Sequence, residues 1–128
     1  MKWETVKISN ESKGSTIPYA SVGRGRITFN SAACGMLDHH ENYQYVEFLK
    51  GKMNNSVCIG VRFLKPDERT ENSVPIKRKS QKGKMINCME ISCKGVIGEL
   101  FGPSGTADKT TRYKISKDDD ANNILIVY

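Results

Sequence analysis

The side chains best equipped for chemistry are cations. Lys77-Arg78-Lys79-Ser80-Gln81-Lys82-Gly83-Lys84 places five of them in eight residues, and no acid lies between Glu71 and Glu90. Cations spaced along a hairpin can neutralise successive phosphates and release the counterions condensed on them. The same run would also serve an edge hairpin whose lysines discourage pairing with another sheet. A second basic turn, Arg24-Gly25-Arg26, brings the phosphate reading level with that one, because two basic turns at equivalent places would form one surface. The expected nucleic-acid contacts are Arg24, Arg26, Lys77, Arg78, Lys79, Lys82 and Lys84.

Other reactive groups point to less. His39-His40 sits between Asp38 and Glu41, but adjacent side chains diverge and no third ligand is indicated, so the pair reads as a solvated loop. Cys34, Cys58, Cys88 and Cys93 include no C-x2-C pair. They read as reduced, mostly buried thiols that neither hold zinc nor form structural disulfides. Asp118-Asp119-Asp120 lacks the alternation of a calcium loop and reads as a hairpin tip. No G-x-S-x-G elbow, P-loop or H-E-x-x-H occurs, so neither catalysis nor a cofactor or metal is expected. Tyr43, Tyr45, Tyr113, Phe48 and Phe63 could stack on single-stranded bases, yet their setting in strands makes core packing the default.

The elements that must position these residues are short. Residues 1–16 read as a terminal arm or edge strand, with Trp3, Val6 and Ile8 alternating. From residue 17 the pattern gives an extended segment, a tight turn at Gly23-Arg24-Gly25 and the half-buried strand Arg26-Ile27-Thr28-Phe29. Asn30-Ser31 caps a helix expected over 31–38, with Ala32, Ala33, Met36 and Leu37 on one face. Two antiparallel strands follow around the turn at 50–55. A polar connector, 65–73, separates this half from a second series: an extended segment 74–79, a turn at 81–84, a strand over 85–91, and a helix over 93–102 capped by Ser92 and stopped by Gly102-Pro103. A polar loop runs over 104–109, and the strands 110–115 and 124–128 close the chain. The expectation is an α+β, mainly β single domain. Its ββαββ units at 17–64 and 74–128 would be a duplication forming a small β-barrel with two short helices.

Composition agrees with a soluble single domain. The 128 residues carry 20 Lys+Arg against 14 Asp+Glu, for a net charge of +6. A chain of this length buries roughly two-thirds of its unfolded surface and needs no disulfide or metal to hold a core. The longest apolar runs fall far short of a membrane span, and the first residues lack the apolar region of a secretory signal, so a cytoplasmic protein is expected.

Gly25-Arg26-Ile27-Thr28-Phe29-Asn30 through Leu37, then Tyr45-Val46-Glu47-Phe48 and Ile59-Gly60-Val61, resemble the AbrB/SpoVT family of swapped-hairpin transition-state regulators. The likeness spans about 45 residues and extends more weakly into the second half. The chain has Asn30 where the family usually has a proline, and Glu41-Asn42 where it has Gly-Asp. The resemblance implies interlocked ββαββ units in one barrel, with DNA held by basic residues of the first hairpin, here Arg24 and Arg26, and by Lys82 and Lys84 as second-half counterparts. A non-catalytic, regulatory DNA-binding domain is the leading expectation. The alternative is a protein-interaction module, such as an accessory or inhibitor protein of a mobile element, using its basic face on an acidic partner. The oligomeric state stays open, a homodimer included.

Overall fold

The computed structural model describes residues 2–5, 17–81 and 84–128, with the backbone alone described at 79–81 and 84–87. Val6 and Ile8 of the expected terminal arm, and the tip of the second basic turn with Lys82, lie outside the described residues. The chain forms strands β1 (Tyr19–Gly23), β2 (Arg26–Phe29), β3 (Tyr45–Met53), β4 (Ser56–Leu64), β5 (Val74–Pro75), β6 (Lys77–Gln81), β7 (Lys84–Ser92), β8 (Thr111–Lys117) and β9 (Ile124–Val127). The helices are α1 (Ser31–Cys34), α2 (Lys94–Phe101) and α3 (Pro103–Thr106). The nine strands make one sheet in the order β5-β3-β4-β9-β8-β1-β2-β7-β6, rolled into a nearly closed barrel. The mainly β class is as expected.

Closure depends on one residue. β5 pairs with β3 and β6 pairs with β7, and only Ile76 separates them, so a single extended stretch crosses from one margin of the sheet to the other. The Ile76 N–H still donates to the Gln44 carbonyl at 2.9 Å. This crossing removes most of the exposed edge that an open sheet would present.

The pairing pattern has an internal symmetry. Exchanging β1 with the β5–β6 stretch, β2 with β7, β3 with β8, and β4 with β9 returns the same set of ladders. The halves interlock: the β1–β2 hairpin pairs with β8 and β7 of the other half, and the β3–β4 hairpin with β9 and β5.

Alternation places the core. Ile27 and Phe29 on β2, Met89 and Ile91 on β7, and Val61 and Phe63 on β4 are buried, and Leu125 and Val127 on β9 close the other wall. Phe29 and Phe63 meet edge to face at 5.6 Å, a geometry worth about 1 kcal/mol beyond the area it buries. Tyr43, Phe48 and Tyr113 pack against this cluster, while Tyr45 instead lies under the Arg69 guanidinium.

Three helical features depart from expectation. α1 is a single turn; Asn30 caps it as expected, Oδ1 accepting from the Ala33 N–H at 2.9 Å, but Gly35 follows Cys34 and the chain leaves the α-helix there. Ser92 ends β7 rather than capping α2. Cys93 occupies the cap position without a side-chain bond, and its N–H donates to the Gly25 carbonyl. Past Gly102 the expected polar loop starts with α3, because Pro103 has the fixed φ that a first helical residue needs.

Candidate nucleic-acid interface

The β1–β2 loop has two residues, Arg24 and Gly25, since Gly23 pairs with Arg26. Both have positive φ, 56° and 73°, as a type I′ hairpin turn requires. Asn54 and Asn55 do the same in the β3–β4 turn, and asparagine tolerates that conformation. Arginine gains nothing from it, so the backbone at Arg24 is held by its surroundings. The surroundings are plain. The Arg24 N–H donates to the Ala107 carbonyl at 2.9 Å and the Gly25 N–H to the Gly105 carbonyl at 2.8 Å. A Cβ on Gly25 would stand 2.9 Å from Lys94 Cα. α2 and α3 thus clamp the turn.

Cations gather on this clamped corner. Arg24 Nε donates to the Asp108 carbonyl at 3.0 Å, which orients an exposed guanidinium with its two terminal nitrogens still available among the described residues. Lys94 opens α2 against Gly25, and Lys109 lies beside Gly23; both are exposed. Arg26 is half exposed, with Glu90 3.7 Å away.

A lateral row of outward-facing residues continues from this corner across five strands. Arg112, Ser21, Thr28, Glu90 and Lys77 are successive cross-strand partners. Four strand spacings separate Arg112 from Lys77, ~19 Å. Arg112 covers the Tyr19 ring at 4.3 Å, and Lys114 pairs with Tyr19 on β8. The row is cationic at both margins, with Glu90 between them.

The expected site residues separate into groups. Arg24, Arg26 and Lys77 stand on this outer surface. β2 and β7 run antiparallel with Arg26 opposite Ser92, so Lys84, at the other end of β7, lies eight residues or ~27 Å from the first turn's end of that strand. Lys79 and Lys84 are placed by backbone in β6 and β7, and their side chains and Lys82 lie outside the described residues.

Arg78 corrects the reading of the charge run. It is half buried, and Nη2 donates to the carbonyls of His40 and Tyr43 at 2.6 and 2.8 Å. A β-bulge between Arg78 and Ser80 interrupts the pairing just after it. Its guanidinium ties the start of β6 to the turn before β3 and is not offered to phosphate. His40 is corrected with it. Rather than sitting in a solvated loop, its Nδ1 lies 3.2 Å from Arg78 Nη1. Burial and then Arg78 hold the imidazole below its ordinary pKa, against a smaller upward pull from Glu41. His39, by contrast, is exposed beside Glu41.

Sequence reading missed Lys94, Lys109, Arg112 and Lys114. Lys94 is an isolated cation, while Lys109, Arg112 and Lys114 are spread along a loop and strand with no glycine turn to mark them. The docking of α2 and β8 on the first hairpin sets them beside it. Among the cysteines, Cys34 and Cys58 are buried. Burial is the main cause pushing the Cys34 thiol up to about 11, which leaves it protonated and unreactive at neutral pH. No group of three or more potential metal ligands, and no helix long and apolar enough to cross a membrane, occurs among the described residues. Set against known proteins, the chain matches no family model, no curated protein and no solved structure.

Proposed function

We propose that the chain is a non-catalytic, regulatory DNA-binding domain that grips duplex phosphates with the clamped β1–β2 corner and the cationic row beside it. The observation that carries this reading is Arg24, an arginine held at a left-handed turn tip and oriented outward by the Asp108 carbonyl. A cation fixed in advance loses little side-chain freedom when it meets an anion. Arg26, Lys94 and Lys109 lie beside it, and Arg112 and Lys77 mark the two margins of the row. Arg78 positions the barrel seam and contacts no phosphate. Kinship with the AbrB/SpoVT regulators and origin of the two halves by duplication are part of the same proposal.

Salt titration of duplex binding tests the proposal. Engaging about four phosphates gives a slope of log K against log salt of roughly −3.6, and removing two contacts flattens it by about 1.8. Arg24→Asn combined with Arg26→Ala is the variant of choice, because asparagine accepts the left-handed φ and the turn survives. Equal binding by wild type and this variant at about 100 mM salt, where screening leaves only organised contacts, would overturn the proposal.

A further inference from the structure

The β3–β4 hairpin is longer than its support. β5 pairs with β3 only at Tyr45 and Val46, and β9 pairs with β4 only from Ile59 to Arg62. Residues 49–58 therefore project as an arm that no other strand flanks among the described residues. On its inward face the cross-strand pairs are Phe48 with Val61, Lys50 with Ile59, and Lys52 with Val57. The apolar stripe of the core thus continues past the barrel rim, and two lysines line up beside it.

Beyond the rim the stripe is uncovered. Val57 is 69% exposed and Tyr128 46%, two of the most exposed large apolar residues described. Between the arm and α2 runs a groove of about 400 Å³, walled by Val57, Ile59, Leu100, Phe101 and Tyr113. It abuts a second hollow of about 220 Å³ under Met53 and Tyr128. No lining residue of either is acidic. Exposed Lys50 and Lys52 do not line them but are the cross-strand neighbours of Ile59 and Val57, which do. The two lysines also border a separate hollow that contains Asp118. Scattered exposed apolar residues need no explanation, but a concave cluster with cations along one side is the form of a recognition surface.

We propose that this groove docks an acidic segment of a partner protein, its apolar side chains seated against Val57, Leu100 and Phe101 and its carboxylates on Lys50 and Lys52. Apolar contact supplies the attraction; the lysines choose the sign of the partner and reject a basic segment. The site uses none of the residues assigned to DNA, so either proposal can fail alone.

Two short fluorescein-labelled peptides test it, one alternating leucine with glutamate and one alternating leucine with lysine. Fluorescence anisotropy with the full chain should show the acidic peptide binding at least about tenfold more tightly, a difference of about 1.4 kcal/mol. Val57→Asp should abolish that binding and leave duplex DNA binding unchanged. Lys50→Glu with Lys52→Glu should reverse the preference toward the basic peptide, an outcome that mere loss of folding cannot produce. Equal binding of both peptides, or no reversal by the charge swap, would overturn the proposal. So would self-association that Val57→Asp removes, because a second copy would then be the occupant.

Discussion

The first basic turn and the second basic segment place their cations in opposite settings. Arginines flank Gly25 in the first, and lysines flank Gly83 in the second. At the first, α2 and α3 hold the backbone from behind and leave Arg24 facing outward. At the second, Arg78 turns inward beneath His40 and Tyr43 and satisfies their carbonyls. Lys77, one residue earlier, opposes Glu90 on the outside. A charge run therefore does not define a surface. The pleat sends neighbouring residues to opposite faces, and what each face meets decides whether a cation stays exposed or holds the barrel together.

The sharpest way to break this contrast is to remove the neighbours Lys77 and Arg78 separately. Arg78→Ala strips charge-assisted bonds from two carbonyls and should cost about 3 kcal/mol. Lys77→Ala should stay within about 0.5 kcal/mol, as exposed substitutions do. Urea unfolding of both variants measures the gap. Similar midpoints would place Arg78 on the surface and erase the distinction.

Much of the strand architecture was legible because it rests on local signals. Arg26-Ile27-Thr28-Phe29 alternates as a half-buried strand must, and Asn30 is a cap whose oxygen needs only the next turn to act. The parallel element order of the two halves was also visible. The inward turn of Arg78 was not, since it depends on a bulge and on carbonyls nearly forty residues upstream. The helix in 103–106 was hidden because Ser104-Gly105-Thr106 has weak helix propensity; burial of Gly105 against the Ile97 carbonyl secures it. The cationic corner was half legible. Arg24 and Arg26 announce themselves beside a glycine, whereas Lys94, Lys109 and Arg112 acquire meaning only through long-range docking.

The clamp at the corner can be loosened without touching a charge. Gly25 has φ 73°, and Lys94 stands where its Cβ would go. Gly25→Ala should destabilise the fold by about 2 kcal/mol, combining the left-handed penalty with displacement of α2. If the held turn is what makes Arg24 effective, duplex affinity measured on still-folded protein at low temperature should fall although every cation remains. Retained affinity in that variant would show that the cations act by charge alone, and the contrast with the seam would lose half its content.

The smallest expected effect sits at the seam, in the protonation of His40. A guanidinium only donates, so with Arg78 Nη1 at 3.2 Å the His40 Nδ1 must be the bare nitrogen, and the ring proton belongs on Nε2. Protonating Nδ1 would set two cations against each other, which together with burial explains the lowered pKa. The unfolded chain therefore takes up the proton first as pH falls. The stabilisation from a neutral His40 is complete above the ordinary value of 6.5 and is lost as pH drops from there toward the folded-state value. Because the ring is only partly buried, solvent screening keeps the effect modest, a Tm decrease of about 2 °C between pH 7 and pH 5.5. Comparison with His40→Gln, whose side-chain oxygen can still accept from Arg78, isolates the contribution: thermal melts of that variant should show a smaller decrease over the same interval. An equal decrease would assign the pH dependence to other groups and leave Arg78 held by the two carbonyls alone.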